Sequence, residues 1–364
     1  MASTVQTAII QSVSTTADTG LPLVVSHTVP IPRMTSPYHV LIRIIAVGLN
    51  PTDHKMVTYF FNEGNGIGCD FCGMVEQTES SALISKGTRV CGAVFPYGTI
   101  DMHNGAFSQW VVADSRHLLK VPKDWTDAQG AALGSVGWAT SCLSMSDPEA
   151  LSLLGRPSRP VEKREPILVY GGATATGLTA IQMLKMSGYT PIAVCSSTSA
   201  PLVIKYGAIG TAPYKSKDCV EKIKLIAEGV PIRHAIDCIT TAESAATCFG
   251  ALGRTGGRYV CLEQFQDAWQ TRRAVRTKIV MGYEMQGMDV HLGHDVYDRK
   301  AKPELYEIGT AWVEEMQTLL DTKAIMTPPL RELQGGFKSI IDGLHILKSG
   351  EAQGRKLVVK VLDS

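Results

Sequence analysis

The stretch Leu168-Val169-Tyr170-Gly171-Gly172-Ala173-Thr174-Ala175-Thr176-Gly177-Leu178, followed by Ile181-Gln182-Met183-Leu184, has the residue types of an anion site. An apolar strand that enters a turn of small residues lets the backbone approach a pyrophosphate, whose charge the N–H groups and dipole of the next helix stabilise. Ala173, Thr174, Ala175 and Thr176 are the candidate phosphate contacts, with Thr174 and Thr176 expected to act partly through their side chains. Residues 171–177 are not GxGxxG, so the turn by itself also fits an ordinary α/β connection. The next apolar run, Ile192-Ala193-Val194-Cys195, ends in Ser196-Ser197-Thr198-Ser199. An Asp or Glu at that point selects NAD through the ribose 2′-hydroxyl. Hydroxyls there, with Lys205 and Lys215 downstream, leave room for a 2′-phosphate and point to NADPH.

Other residues bear chemistry with weaker patterns. Cys69 and Cys72 form one CxxC near Asp53 and His54, but without a second pair this is a poor zinc signal, and no metal is expected. Thr140, in Gly137-Trp138-Ala139-Thr140-Ser141-Cys142, falls at the start of a helical stretch, where its hydroxyl reads either as an N-cap or as a positioning group. Met281 to His294 is rich in Met and Gly; flexible thioethers adapt to long apolar ligands, and they also fill cores. Arg272, Arg273, Arg276 and Lys278 make one basic run, and Arg299, Lys300 and Lys302 another. Each reads as a solvated face or as a docking surface for an acidic partner.

The elements that must position these residues divide into two kinds. Strand-like runs recur at 167–170, 191–195, 209–213, 233–238, 257–262 and 279–283, with helical stretches between the early ones, the alternation of a doubly wound parallel α/β sheet. The first 130 residues instead show short strands with Gly and Pro turns: Val40 to Val47, Gly73 to Val75, Thr88 to Gly92 and Phe107 to Val112. These suggest a small barrel-type β domain. Asp147 to Pro166 reads as a loop, 304–323 and 337–348 as helices, and Leu357 to Val361 as a last strand that returns to the N-terminal domain. The expected domains are 1–145, 146–288 (the Rossmann domain) and 289–364, the last rejoining the first.

With 364 residues, 45% hydrophobic, 19% charged and a net charge of +1, the composition gives no global electrostatic case for nucleic-acid or membrane binding. The nine cysteines lack disulfide-framework spacing, and Met1 to Gln11 lacks a signal-peptide pattern, so a cytoplasmic protein is expected.

A family resemblance rests on motifs in order: Asn50-Pro51-Thr52-Asp53-His54-Lys55, Gly68-Cys69-Asp70-Phe71-Cys72-Gly73-Met74-Val75, Gly87-Thr88-Arg89-Val90, Gly105-Ala106-Phe107-Ser108-Gln109, Gln129-Gly130-Ala131-Ala132-Leu133 and Gly354-Arg355-Lys356-Leu357-Val358-Val359. In these the chain resembles the zinc-free medium-chain reductases, the quinone and enoyl reductases. Within them it most resembles the trans-acting enoyl reductases of fungal highly reducing polyketide synthases, the lovastatin type. Its marks are Tyr170 to Thr176, Asp237-Cys238-Ile239-Thr240 and Gln334-Gly335-Gly336-Phe337. The zinc alcohol dehydrogenases of the same fold have a Cys near Asp53 and Gly-His-Glu where this chain has Gly68-Cys69-Asp70.

The resemblance implies a GroES-like catalytic domain beside the Rossmann domain, and NADPH as hydride donor to an α,β-unsaturated thioester. The partner it implies is a polyketide synthase, with or without a peptide synthetase module, presenting substrate on its acyl carrier domain to a monomeric reductase. It implies catalytic roles for Lys55 and Thr140, and cofactor contacts from Thr52, Asp53, His54, Lys55, Tyr214, Val358 and Val359. Substrate contacts would come from Trp138, Thr140, Ser141, Met281, Gly282, Tyr283, Glu284 and Met285. Asp237, Cys238, Leu262 and Glu263 read as cofactor contacts on their own account, because they end the fourth and fifth strands and the carboxyl ends of parallel strands face the ligand crevice. A cation at Lys55 would polarise or protonate the enolate left by hydride addition, with solvent as the other proton source. The rivals are a quinone or enone reductase for diffusible substrates and a redox-silent NADPH-binding protein.

Overall fold

The computed structural model describes residues 4–13, 20–98 and 101–361, so Met1 to Ser3 of the N-terminal segment lie outside it. The chain opens with strands β1 (Val5–Gln11), β2 (Leu23–Pro30) and β3 (His39–Gly48), helix α1 (Pro51–Tyr59), then β4 (Asp70–Thr78), β5 (Arg89–Ala93), β6 (Trp110–Asp114) and β7 (Leu119–Lys120). Helices α2 (Asp127–Leu133) and α3 (Val136–Ser146) precede β8 (Pro166–Tyr170), α4 (Ala175–Met186), β9 (Thr190–Cys195), α5 (Ala200–Lys205) and β10 (Gly210–Pro213). Next come α6 (Cys219–Ile226), β11 (His234–Asp237), α7 (Ala242–Ala251), β12 (Gly257–Cys261) and β13 (Val275–Ile279). The chain closes with α8 (Pro303–Asp321), β14 (Leu330–Leu333), α9 (Gly336–Ser349) and β15 (Lys356–Lys360).

Two compact units emerge: residues 1–136, 286–306 and 316–364 form one, and 137–285 with 307–315 the other. The first cut therefore falls at 136/137 rather than 145/146, and the second at 285/286 rather than 288/289. Helix α3 groups with the Rossmann unit from Gly137 onward.

In the first unit a seven-stranded sheet runs β14-β15-β3-β4-β5-β7, with β6 also on β3, and β1 and β2 form a separate antiparallel ribbon. Its core of Val40, Ile42, Ile44, Phe71, Val90, Phe107 and Val111 is closed by Leu357 and Val359. The last strand does return to this unit, pairing antiparallel with β3 through Val358 on Gly48 and Val359 on Val47. Phe107 to Gln109, expected in a strand, precede β6; the Phe107 carbonyl accepts the Ile9 N–H and the Gln109 N–H donates to the Thr7 carbonyl of β1, at 2.8 and 3.0 Å, while the Gln109 carbonyl accepts the Ile44 N–H of β3 at 2.9 Å.

The second unit is a six-stranded sheet, order β10-β9-β8-β11-β12-β13, parallel throughout. That order reverses between β8 and β11, the switch point where doubly wound folds bind ligands. The sixth strand lies at Val275–Ile279, earlier than the expected 279–283. As an edge strand it carries Arg276 and Lys278, which break the apolar run that a sequence reading follows, while Gly282 to Gln286 turns into a short 3₁₀ helix.

Candidate cofactor and catalytic site

In the Rossmann unit, Gly171 has φ +73° and its added Cβ would lie 2.9 Å from Ile239, while a Cβ on Gly177 would meet the Gly171 carbonyl oxygen at 2.4 Å. The turn is thus closed on itself by backbone that only glycine permits, leaving the mouth of α4 open to a diphosphate. Thr174 is the N-cap: its Oγ1 accepts the Gly177 N–H at 3.0 Å and donates to the Gly171 carbonyl at 2.8 Å. Its hydroxyl is spent on the helix, so an anion would be met by first-turn N–H groups near Ala175 and Thr176. Ala173 lies in the turn before them.

At the end of β9, the Ser196 hydroxyl accepts the Ser199 N–H at 3.2 Å and bonds the Thr198 and Ser199 hydroxyls at 2.9 and 2.8 Å. Ser197 and Thr198 face solvent. Tyr214 follows β10 and is 46% exposed, with the Lys215 ammonium 6.0 Å from its ring centroid. No carboxylate stands among these hydroxyls, which fits a phosphorylated ribose.

The carboxyl ends of β11 and β12 are tied together. Asp237, fully buried, accepts the N–H groups of Ile239 and Thr240 and the Tyr259 hydroxyl at 2.9, 3.0 and 2.7 Å. Burial pushes its carboxyl above the usual range against those bonds. Thr240, at φ +60°, accepts the Leu262 N–H at 3.1 Å. Leu262 and Glu263 therefore sit at a fixed strand end, and Asp237 itself is occupied in building the turn.

Thr140 lies in the second turn of α3, because the helix begins at Val136; it is not an N-cap. It is buried, its carbonyl accepts the Ser144 hydroxyl at 2.7 Å, and a Cβ added to Gly282 would come 2.6 Å from its Oγ1. The structure thus brings Thr140 and the 281–285 segment together. Met281 and Met285 are buried, and the buried Glu284 carboxylate accepts the Met281 N–H at 3.2 Å; Tyr283 is half-buried. Trp138 and Ser141 are enclosed, and the Ser141 hydroxyl donates to the Gly137 carbonyl at 2.8 Å.

In the first unit, Thr52 and Lys55 are half-buried and Tyr59 exposed on one face of α1, with spacings of three and four residues, while Asp53, His54, Met56 and Val57 turn inward. The Asp53 carboxylate accepts the Asn50 N–H at 2.7 Å. Burial pushes it up to about 7, against the Asn50 bond and the Lys356 charge. His54 is pushed down to about 4 by burial and by the charges of Lys55, Lys348 and His345, so its ring is neutral at physiological pH. Val358 and Val359 are fully buried in β15.

Burial raises the Cys69 thiol and takes Cys72 up to about 12. Among the described residues no group of three or more His, Cys, Asp or Glu side chains is placed to hold a metal ion. The first basic run is partly consumed: Arg272 donates to the carbonyls of Phe249, Leu252 and Gly253 at 2.6, 2.9 and 2.6 Å, and Lys278 reaches Glu149. Arg272 thereby caps the C-terminus of α7.

Sequence reasoning passed over one assembly, the buried Asn50, Asp70 and Lys356. The Asp70 Oδ2 accepts the Asn50 Nδ2 at 2.9 Å and the Lys356 ammonium at 2.8 Å, and its Oδ1 the N–H groups of Ser135 and Val136 at 2.7 and 2.9 Å. The available signal was a charged residue at the start of each of two apolar strands, Asp70 in β4 and Lys356 in β15.

A GroES-like sheet with a returning C-terminal strand, and a parallel sheet with a glycine turn at its switch point, define a medium-chain reductase. Residues 36–123 match the alcohol dehydrogenase GroES-like domain family. The fold is shared with the NADPH-complexed quinone oxidoreductase of Escherichia coli (TM-score 0.70, 18% identity, 97% of this chain and 99% of that one). It is shared equally with the CurK enoyl reductase (TM-score 0.71, 15% identity, 98% and 99%). The trans-enoyl reductase sthE of Phaeosphaeria nodorum is 54% identical over 98% of this chain and 97% of its own. The trans-enoyl reductase calK of Penicillium decumbens is 48% identical over 99% of each. The chain belongs to the trans-enoyl reductase family, enzymes of nicotinamide-dependent oxidoreduction. No helix among the described residues is long and apolar enough to cross a membrane.

Proposed function

We propose that this protein is an NADPH-dependent enoyl reductase that acts in trans on an α,β-unsaturated polyketide thioester held on the acyl carrier domain of a highly reducing polyketide synthase, with or without a peptide synthetase module. The full-length identity to trans-enoyl reductases carries the reading. The carboxylate-free hydroxyl turn after β9 supports NADPH over NADH. Eight buried thiols and a half-buried ninth suit a reducing cytoplasm. The charged edge strand β13, with Arg276 exposed, suits a monomer.

The first-turn N–H groups of α4 and the Ser196 to Ser199 turn would hold the dihydronicotinamide cofactor, which when bound would supply the hydride for the β carbon. The electron pair of the C=C bond moves to the thioester oxygen, where Lys55, on the outer face of α1, stabilises the negative charge. A proton from Lys55 or solvent then reaches the α carbon, completing the addition of two hydrogens. Thr140, held against Gly282, orients the acyl group or the cofactor. Thr52 flanks Lys55 on the same face, and the hydroxyls of Ser196 to Ser199 would be the groups to meet a 2′-phosphate.

The test is NADPH oxidation by the purified protein with one enoyl thioester, presented on a pantetheine mimic and on a carrier domain. Turnover should occur on both and be faster on the carrier, with NADPH binding at least tenfold tighter than NADH, a margin of about 1.4 kcal/mol. Reduction of free quinones alone would favour a diffusible-substrate reductase. Cofactor binding without hydride transfer would make the protein redox-silent.

A further inference from the structure

We infer that Asp70, acting through Asn50 and Lys356, is the positioning centre for helix α1, and hence for the Lys55 ammonium of the enoyl reductase reaction proposed above. Asp70 is 0% exposed and Lys356 6%, and an ion pair so enclosed persists only where further hydrogen bonds satisfy its remaining atoms. Here they do. The carboxylate receives four donors: Asn50 Nδ2, the Lys356 ammonium and two backbone N–H groups. Lys356 also donates to the Asn50 side-chain oxygen, so the amide is gripped at both ends.

The arrangement joins segments remote in sequence. Asn50 is the residue on which α1 starts, with Pro51 at its first turn. Asp70 begins β4, Lys356 begins β15, and Ser135 and Val136 lead into α3. On the inner side, the Asp53 carboxyl fixes the Asn50 backbone and is packed beside the Cys69 thiol. Helix α1 is nine residues long, too short to hold itself in water. Met56 and Val57 pack its inner face into the core, and its start, which fixes where Lys55 lies along the axis, is anchored at the N-cap Asn50, held in turn by Asp70 and Lys356. The pair is a positioning device: neither group touches the reacting atoms.

Three variants separate positioning from simple stability. Asp70→Asn and Lys356→Met each strand a buried charge, and each should lose thermal stability. The double variant D70N/K356M strands none and should recover most of the wild-type melting temperature, yet its Asn50 has lost the ammonium. It should keep NADPH dissociation within threefold of wild type while kcat for the enoyl thioester falls at least tenfold. Asn50→Ala leaves the ion pair intact and should show the same split, which keeps the test open if the double variant fails to fold. A double variant, or Asn50→Ala, with wild-type kcat would overturn the inference.

Hydrogen exchange supplies a readout independent of the reaction. Amides of Met56 to Tyr59 in Asn50→Ala should exchange at least tenfold faster than in wild type. Unchanged exchange sinks the positioning role, whereas wild-type protein that reduces no enoyl thioester sinks only the proposed function.

Discussion

Asp53→Asn tests how much the buried start of α1 costs the protein as pH rises. The Asp53 carboxyl is fully enclosed, and burial lifts it from an ordinary 3.8 to about 7. Between those values the folded protein holds a proton that the unfolded chain has released. The protonated form's contribution to stability is thus fully present below about pH 4 and lost as pH rises through about 7. A shift of about three units at 1.36 kcal/mol each amounts to roughly 4 kcal/mol across that window. For a unit of this size, at about 2–4 °C per kcal/mol, that is about 10 °C in melting temperature. Asparagine has no proton to lose and can still accept the Asn50 N–H through its amide oxygen. His54, pushed down to about 4, contributes the opposite slope, with stability gained as pH rises, but it is present in both proteins and cancels in the difference. Melting curves of wild type and Asp53→Asn, taken from about pH 4 to pH 8, should therefore diverge, the variant gaining about 10 °C relative to wild type at the upper end. A constant offset across the range would refute the reasoning, as would one that shifts toward wild type.

Three further substitutions probe Lys55, Thr140 and the glycine that lies against Thr140. Lys55→Ala should lower the rate of NADPH oxidation with an enoyl thioester more than tenfold at nearly unchanged NADPH affinity, since only the transition state carries the charge; Thr140→Ala should cost several-fold, about 1 kcal/mol, in both binding and rate. Wild-type turnover by Lys55→Ala would assign proton delivery to solvent. Gly282→Ala would place a methyl 2.6 Å from the Thr140 oxygen and should cost about 1–3 kcal/mol by thermal melting, a loss that Thr140→Ala relieves in the double variant; additive losses would show that the two residues do not press on each other.

What could be read from the sequence, and what could not, divides along physical lines. The parallel sheet was legible because strands buried on both faces are continuous apolar runs, and β8 to α4 added the glycine turn that ends one of them. Strand β13 was misplaced because an edge strand has one side in water, and Arg276 and Lys278 break its apolar pattern. Thr140 was put at a helix start although Ser135 stands directly before Val136, because no capping-box partner marks that earlier start. The bonds to the first N–H groups of α3 come from Asp70, more than sixty residues earlier in the chain. The same separation hid the assembly around Asn50. Asp70 and Lys356 are 286 residues apart in sequence, and no local spacing rule relates them. Each nevertheless opens an apolar strand, where a lone charge would be costly to bury. Two such charges of opposite sign at the starts of strands that both pair with β3 satisfy each other only if the fold brings those strand ends to one point. Once β15 is known to return to β3, the ion pair and the amide it grips follow from the need to leave neither charge alone. The aim of α1, and of the lysine on its outer face, follows from the closure of that sheet.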